Sequence, residues 1–199
     1  DIRSINKKLI RLGGFLTIGF IAVAPEALMI LSPNSPDYWI ARYVVPPVAL
    51  GTFSQYLYTN YVNVELFHKK TPIIAVSSCF AALLNYILNY YAIGRFGYVS
   101  ASYTTLISYM ALMVLHFAAV RFILKEKVYD DGFIFASLAL SILIGLSFIL
   151  LYGDEMVFRI TRYAAAVLLL GIFAFANKND IMYFTKKGLA GLKKKLNRN

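Results

Sequence analysis

Six apolar stretches constrain this chain more than any other feature. Each is close to the length that crosses a bilayer, and polar or proline-containing breaks separate them. They run approximately over 12–31, 44–66, 72–93, 98–120, 133–152 and 156–176. A spanning helix needs about 20 mostly apolar residues. Inside the hydrocarbon there is no water to pair with N–H and C=O groups, so a span is either a helix or part of a closed barrel. Barrel strands alternate apolar and polar residues, and these stretches do not. The sequence therefore predicts an all-α, polytopic membrane protein with six transmembrane helices. Composition agrees. The chain is 59% hydrophobic and only 15% charged, whereas soluble domains are about half apolar and about a quarter charged.

The breaks have chemical causes. After the first segment, Ser35-Pro36 reads as an N-cap followed by proline at the first helical position, which predicts a short interfacial helix carrying Trp39 and Tyr43. Pro46-Pro47 kinks or restarts the chain, because proline lacks an N–H and clashes with the preceding turn. Thr71-Pro72 repeats the cap-plus-proline pattern before the third segment. Gly94 and Gly97 are expected to close the loop between the third and fourth segments, a loop short enough to make those helices antiparallel neighbours.

Orientation follows from the cations. With the N-terminus inside, 16 of the 20 Lys and Arg residues fall at inner segments, while Arg42, Arg95, Arg159 and Arg162 stay outside or in the outer half of the membrane. This is a positive-inside bias. It gives a cytoplasmic basic segment (1–11), a six-helix transmembrane domain (12–176) and a basic cytoplasmic tail (177–199). In the tail, Ile181, Phe184, Leu189, Leu192 and Leu196 alternate with lysines. The tail could lie on the anionic inner leaflet as an amphipathic helix or stay solvated; the sequence leaves both open. The net charge of +10 is accounted for by membrane-flanking loops and requires no nucleic acid. The first residues, DIRSINKKLIRLGG, are basic and amphipathic without a cleavage site, which is not the pattern of a signal peptide. The expectation is that the chain is the C-terminal piece of something longer.

Enzymatic motifs are absent from the sequence. It has no Ser/His/Asp order, no HExxH and no Gly-rich phosphate loop. The one cysteine, Cys79, cannot make an internal disulfide, and Cys79, His68 and His116 are too widely spaced for a metal cluster. No catalytic residue, metal or cofactor is predicted. Most acidic residues fall at interfaces; only Glu26 and Glu65 approach span interiors, and His116 lies near the inner end of the fourth segment.

What remains is a set of intramembrane polar residues, which must face other helices or a water-filled cavity. The second segment carries Gln55, Asn60, Asn63 and Glu65, with Tyr56, Tyr58 and Tyr61 between them. Positions 56, 60 and 63 fall near one helix face. Any one of these amides reads as helix–helix glue, and the cluster reads as the wall of a cavity able to stack on and hydrogen-bond to sugar rings. Gln55, Tyr56, Asn60, Asn63 and, on the third segment, Asn85 are the substrate-cavity candidates. Asn89 shares a face with Asn85 and is expected to cap carbonyls or bind the turn at Gly94. The run Ser100, Ala101, Ser102, Thr104, Thr105 and Ser108 suggests close packing. Arg95, Arg159 and Arg162 are the candidates for a lipid phosphate, with snorkelling to the interface as the plainer role for the last two.

One resemblance adds to this reading. Lys70-Thr71, Asn85, Asn89-Tyr90, Phe96-Gly97, Ala101, Thr105-Leu106 and Ser108-Tyr109 resemble the C-terminal part of bacterial O-antigen and polysaccharide flippases. These belong to the multidrug/oligosaccharidyl-lipid/polysaccharide exporter superfamily. APEALMIL (24–31) is similar to a Pro-Glu-containing segment of that family. The likeness is densest over 66–117. It departs in having Ser100 and Ser102 where the family often has a second glycine and a second alanine. It implies that the six helices are the last six of about fourteen, with the N-terminal lobe of the same chain as the missing partner. It further implies a cargo of lipid-linked oligosaccharide on an undecaprenyl pyrophosphate carrier. That cargo would move from the inner to the outer leaflet of a bacterial plasma membrane for cell-surface polysaccharide (lipopolysaccharide O-antigen) synthesis. Membrane lipids, a polysaccharide polymerase and glycosyltransferases would be the other partners, and a proton or sodium gradient could drive the cycle. A drug/cation exporter of the same superfamily and a membrane enzyme acting on lipid-linked sugars are the alternatives.

Overall fold

The computed structural model describes residues 2–178. The predicted amphipathic tail, from Ile181 to Leu196, lies outside the described residues. Among the described residues the architecture is helical, with six principal helices: α1 (Ile2–Leu31), α2 (Val45–Phe67), α3 (Thr71–Phe96), α4 (Ser100–Ala118), α5 (Asp131–Ser147) and α6 (Met156–Ala176). A 3-10 helix (Pro36–Tyr43) joins α1 to α2, a π-helical turn (Ala119–Ile123) continues α4, and a 3-10 turn (Phe148–Leu151) continues α5.

Five of these are long and apolar enough to cross a membrane: α1, α3, α4 with its π turn, α5 with its 3-10 turn, and α6. The exception is α2, whose amides, tyrosines and Glu65 dilute its hydropathy. Packing accounts for the polar groups of one face. Leu50, Gly51, Phe53, Ser54, Leu57, Tyr61, Val64 and Glu65 are buried, and α2 packs most extensively on α4 and also on α1 and α5. Polar groups on a face that packs against other helices are kept out of lipid; Gln55, Tyr56 and Asn63 lie on the other, exposed face. In contrast, α3 buries only Ser77 and Ala81, and α6 only Arg162.

Several boundaries differ from the sequence reading. The basic segment and the first apolar stretch form one helix beginning at Ile2. Its 30 residues extend about 45 Å at 1.5 Å per residue, more than the roughly 30 Å of hydrocarbon. The basic end is therefore free to project. It docks on the α4–α5 connection: Arg3 donates to the carbonyls of Val128 (2.9 Å) and Lys127 (2.5 Å), and Lys7 pairs with Asp130 at 2.6 Å. Gly94 is inside α3, and the turn to α4 falls on Gly97, whose φ of +77° is a conformation that favours glycine. Neither Ser35 nor Thr71 makes a side-chain cap, and Lys70 rather than Thr71 is the N-cap of α3. The side-chain cap lies elsewhere, where Asp130 accepts from the Phe133 amide at the start of α5.

Packing is concentrated in two clusters between α1, α2, α4 and α5. Toward the basic end, Ile10, Phe53, Leu57, Met113, Ile134 and Leu138 meet. Toward the other end, Ile21, Leu50, Leu106, Phe148 and Tyr152 meet. Gly145 allows this second contact, because a Cβ there would come within 3.0–3.2 Å of Ile21 and Leu50. Pro25 lies within α1 and cannot donate to the carbonyl of Ile21, four residues earlier. The Tyr152 hydroxyl donates to that carbonyl at 2.6 Å, so the proline break ties α1 to the end of α5.

Candidate functional site

The five cavity candidates do not form one cluster; they divide by helix face. On α2, Gln55, Tyr56 and Asn63 are exposed, together with Thr52 and Thr59. These positions recur at three- and four-residue steps and form one stripe, opposite the face carrying Leu50, Leu57 and Tyr61. Val48 and Leu66 bracket the stripe with apolar, exposed side chains. Thr52 and Thr59 donate back to the carbonyls of Val48 (3.1 Å) and Gln55 (2.9 Å), which removes most of the cost of their hydroxyls in an apolar setting. The amides of Gln55 and Asn63 and the Tyr56 hydroxyl are the groups that demand polar surroundings.

Asn60 turns away from that stripe. It accepts from the Asn6 amide of α1 at 2.6 Å and donates to the Leu57 carbonyl at 3.0 Å. This is helix–helix glue, and it separates Asn60 from the exposed face that Tyr56 and Asn63 share.

Asn85 is also held between helices. Its amide donates to Thr105 at 3.4 Å, Asn89 donates to Asn85 at 3.0 Å, and Thr104 donates to Asn89 at 2.5 Å. Asn89 therefore binds α4 rather than the turn near Gly94. The Thr105 and Ser108 hydroxyls also donate to carbonyls one turn earlier on α4. The polar residues of the α3–α4 hairpin thus form an amide–hydroxyl ladder joining two helices whose small side chains let them approach.

The three phosphate candidates part company as well. Arg95 and Arg159 are exposed. Arg95 lies at the tip of the α3–α4 hairpin, beside a shallow, mostly apolar cavity of about 500 Å³ lined by Tyr91, Phe96, Val99 and Tyr103. Arg162 is 1% exposed and does not snorkel. It donates to the Leu151 carbonyl at 3.0 Å and to the Glu26 carboxylate, and lies against the rings of Tyr152 and Tyr163. Glu26, one residue after the proline in α1, is its ion-pair partner and draws it inward.

Two further ion pairs lie one at each end of the bundle. Arg42 forks onto Asp154, with contacts of 2.5 and 3.2 Å, and these hydrogen bonds hold the Asp154 carboxyl below the usual carboxylate range. At the basic end, the hydrogen bond from Lys7, aided by the Phe133 amide, does the same for Asp130. Ion pairs thus join neighbouring elements at both ends of the bundle.

The most enclosed polar pair among the described residues is one that the sequence alone does not bring together. Glu65 of α2 and His116 of α4 are both fully buried, and His116 Nδ1 lies 3.0 and 2.8 Å from the two carboxylate oxygens. Tyr58 stacks on the imidazole with centroids 5.4 Å apart. The sequence held a usable signal. Both residues lie near the same ends of helices that run in the same direction, and a lone ionisable group inside a span needs a partner. Among the described residues, no group of His, Cys, Asp and Glu could hold a metal ion.

No family model, no curated protein and no solved structure matches this chain.

Proposed function

We propose that this chain is the C-terminal portion of a two-lobed flippase that moves lipid-linked oligosaccharide, of the undecaprenyl-pyrophosphate type, from the inner to the outer leaflet of a bacterial plasma membrane. The observation that carries this reading is the exposed stripe of α2. A helix buried on one side against α1, α4 and α5 presents Gln55, Tyr56, Thr59 and Asn63 on the other. Amides on a lipid-facing surface are costly, so the stripe calls for a polar neighbour. A hydrated path shared with an N-terminal lobe of the same chain supplies one. Amide and aromatic groups there suit sugar hydroxyls and ring faces, and rocking of two lobes about such a path would expose it to each side in turn. In this arrangement all six helices span, α2 being shielded from lipid, and the basic end of the bundle faces the cytoplasm.

The resemblance over 66–117 supplies the cargo class. The ladder through Asn85 and Asn89 is the packing device of the segment that carries it, not part of the path. Arg95 and Arg159 remain exposed cations for phosphate or head-group contact, whereas Arg162 is committed to Glu26. The decisive experiment is complementation. Full-length protein restores surface glycan in a flippase-null strain, and its loss leaves lipid-linked precursor on the inner leaflet. Normal precursor export in the null strain would refute the reading, and drug efflux without glycan export would reassign the chain to the exporters of drugs and cations.

A further inference from the structure

The Glu65–His116 couple is closed off from water. Both side chains are inaccessible to solvent, yet Nε2 of His116 is buried without a hydrogen-bond partner among the described residues. Glu65 and His116 therefore share one contact inside one enclosure.

The protons of the couple can be counted. With none on either group beyond the neutral imidazole, the site holds a carboxylate and a net charge of −1. With two, it holds a carboxylic acid, an imidazolium and a net charge of +1. With one, it is neutral overall, whether the proton sits on the carboxylate or on Nδ1, and the short Nδ1–carboxylate contact accommodates either position. Burying an uncompensated charge is strongly unfavourable, while a hydrogen-bonded neutral couple is not.

The surrounding groups are already engaged or lie at the bundle end. On α2, Tyr58 covers the imidazole, and Tyr61, one turn before Glu65, donates to Asp131 of α5 at 3.1 Å. Tyr109 of α4 packs on Tyr58. His68, just after α2, meets Glu126 of the α4–α5 connection at 3.4 Å. Lys69 and Lys70 are exposed between α2 and α3, and Arg121 lies in the π turn beyond His116. Neither Glu65 nor His116 forms an ion pair with any of these among the described residues.

We propose that Glu65–His116 is a proton-binding site that holds one proton while α2 and α4 are in contact and gives it up when the two helices part. On parting, water reaches both groups. Glu65 takes its ordinary carboxylate form and His116 its neutral form at slightly alkaline pH; one proton leaves to solvent and no electron moves. The π turn Ala119–Ile123 begins three residues after His116. It is an irregularity of the kind found at functional sites, in the segment of α4 that such a parting would move. The site is independent of the cargo and would serve any cycle that separates α2 from α4.

The test counts protons on the purified full-length protein in detergent. Denatured at pH 8.5 in weak buffer with an indicator dye, the wild type should release one more proton per chain than Glu65→Gln, whose amide keeps the shape of the side chain and a hydrogen bond to Nδ1. His68→Gln, which changes the other histidine of this sequence, should match the wild type. Equal release from wild type and Glu65→Gln would overturn the proposal. A measurement on the wild type alone guards against a variant that fails to fold. A native state holding one extra proton loses stability as pH rises, so the wild type should unfold more readily at pH 9 than at pH 7.5. A flat profile would overturn the proposal. Neither readout involves transport, so failure here and failure of the flippase reading are separate results.

Discussion

The hydroxyl of Tyr152 donates to the carbonyl of Ile21 across 2.6 Å, at the carbonyl that Pro25 leaves without its helical donor. The proline break in α1 and the buried tyrosine after α5 are two halves of one interaction. Tyr152→Phe keeps the ring and removes the donor, leaving a buried carbonyl unpaired. The expected cost is about 1–3 kcal/mol, read as a lower unfolding midpoint with unchanged helicity.

Glu26 and Arg162 make a sharper case. Arg162 is almost fully buried, so Glu26→Gln strands a guanidinium. Breaking such a pair from one side costs about 3–5 kcal/mol. The double variant Glu26→Gln/Arg162→Met should cost less than the sum of the single changes, because it removes the stranded charge. Additive losses in a double-mutant cycle would argue that the two side chains do not act as a pair.

Asn85 joins α3 to α4, and in this account it takes no part in the path. Asn85→Ala should destabilise by about 0.6–2 kcal/mol, the range for interhelical hydrogen bonds in membranes, with transport per folded molecule unchanged. Gln55→Leu/Asn63→Leu should do the opposite, lowering glycan export while leaving the unfolding midpoint within error.

Acid sensitivity follows from Asp130 and Asp154. Partners hold both carboxyls below their ordinary range. A carboxyl lowered in the folded state contributes stability above its unfolded pKa of about 3.9 and loses it as pH falls through the lower, folded value. The loss should therefore fall below about pH 4. Asp154→Asn should flatten that limb of the midpoint-versus-pH curve and leave the neutral region unchanged. Because Asp154 is largely exposed and Asp130 partly so, the effect is small.

The sequence made the helices legible because apolar length and proline placement act locally. Ser35-Pro36 marked the short helix carrying Trp39, though it forms with 3-10 geometry and no side-chain cap. The position of α2 was not legible. Its amides suggested a polar wall, but only packing shows that Asn60 is claimed by Asn6 while Gln55 and Asn63 are left outside. The buried pairs were hidden for a related reason. Glu65 and His116 are 51 positions apart and Glu26 and Arg162 are 136 apart, and no local pattern states which helices meet. Arg162 illustrates the consequence: alone at a helix start it reads as a snorkelling cation, and beside Glu26 it becomes an internal one.

The central claim is that the exposed face of α2 borders water and not lipid. This sequence has a single cysteine, Cys79, so single cysteines are placed on a background of Cys79→Ser, with every cysteine of the N-terminal lobe also replaced, in the full-length protein in its membrane. The measurement is labelling by a membrane-impermeant thiol reagent at positions 52, 55, 59 and 63, set against 83, 86 and 140, which are exposed on α3 and α5. The account predicts that the α2 positions label readily, that the α3 and α5 positions do not, and that a bulky cargo analogue protects 55 and 63. Uniform protection of the α2 stripe, with labelling no different from Leu83, Tyr86 and Leu140, would place that face in lipid or in a dry interface and contradict the account.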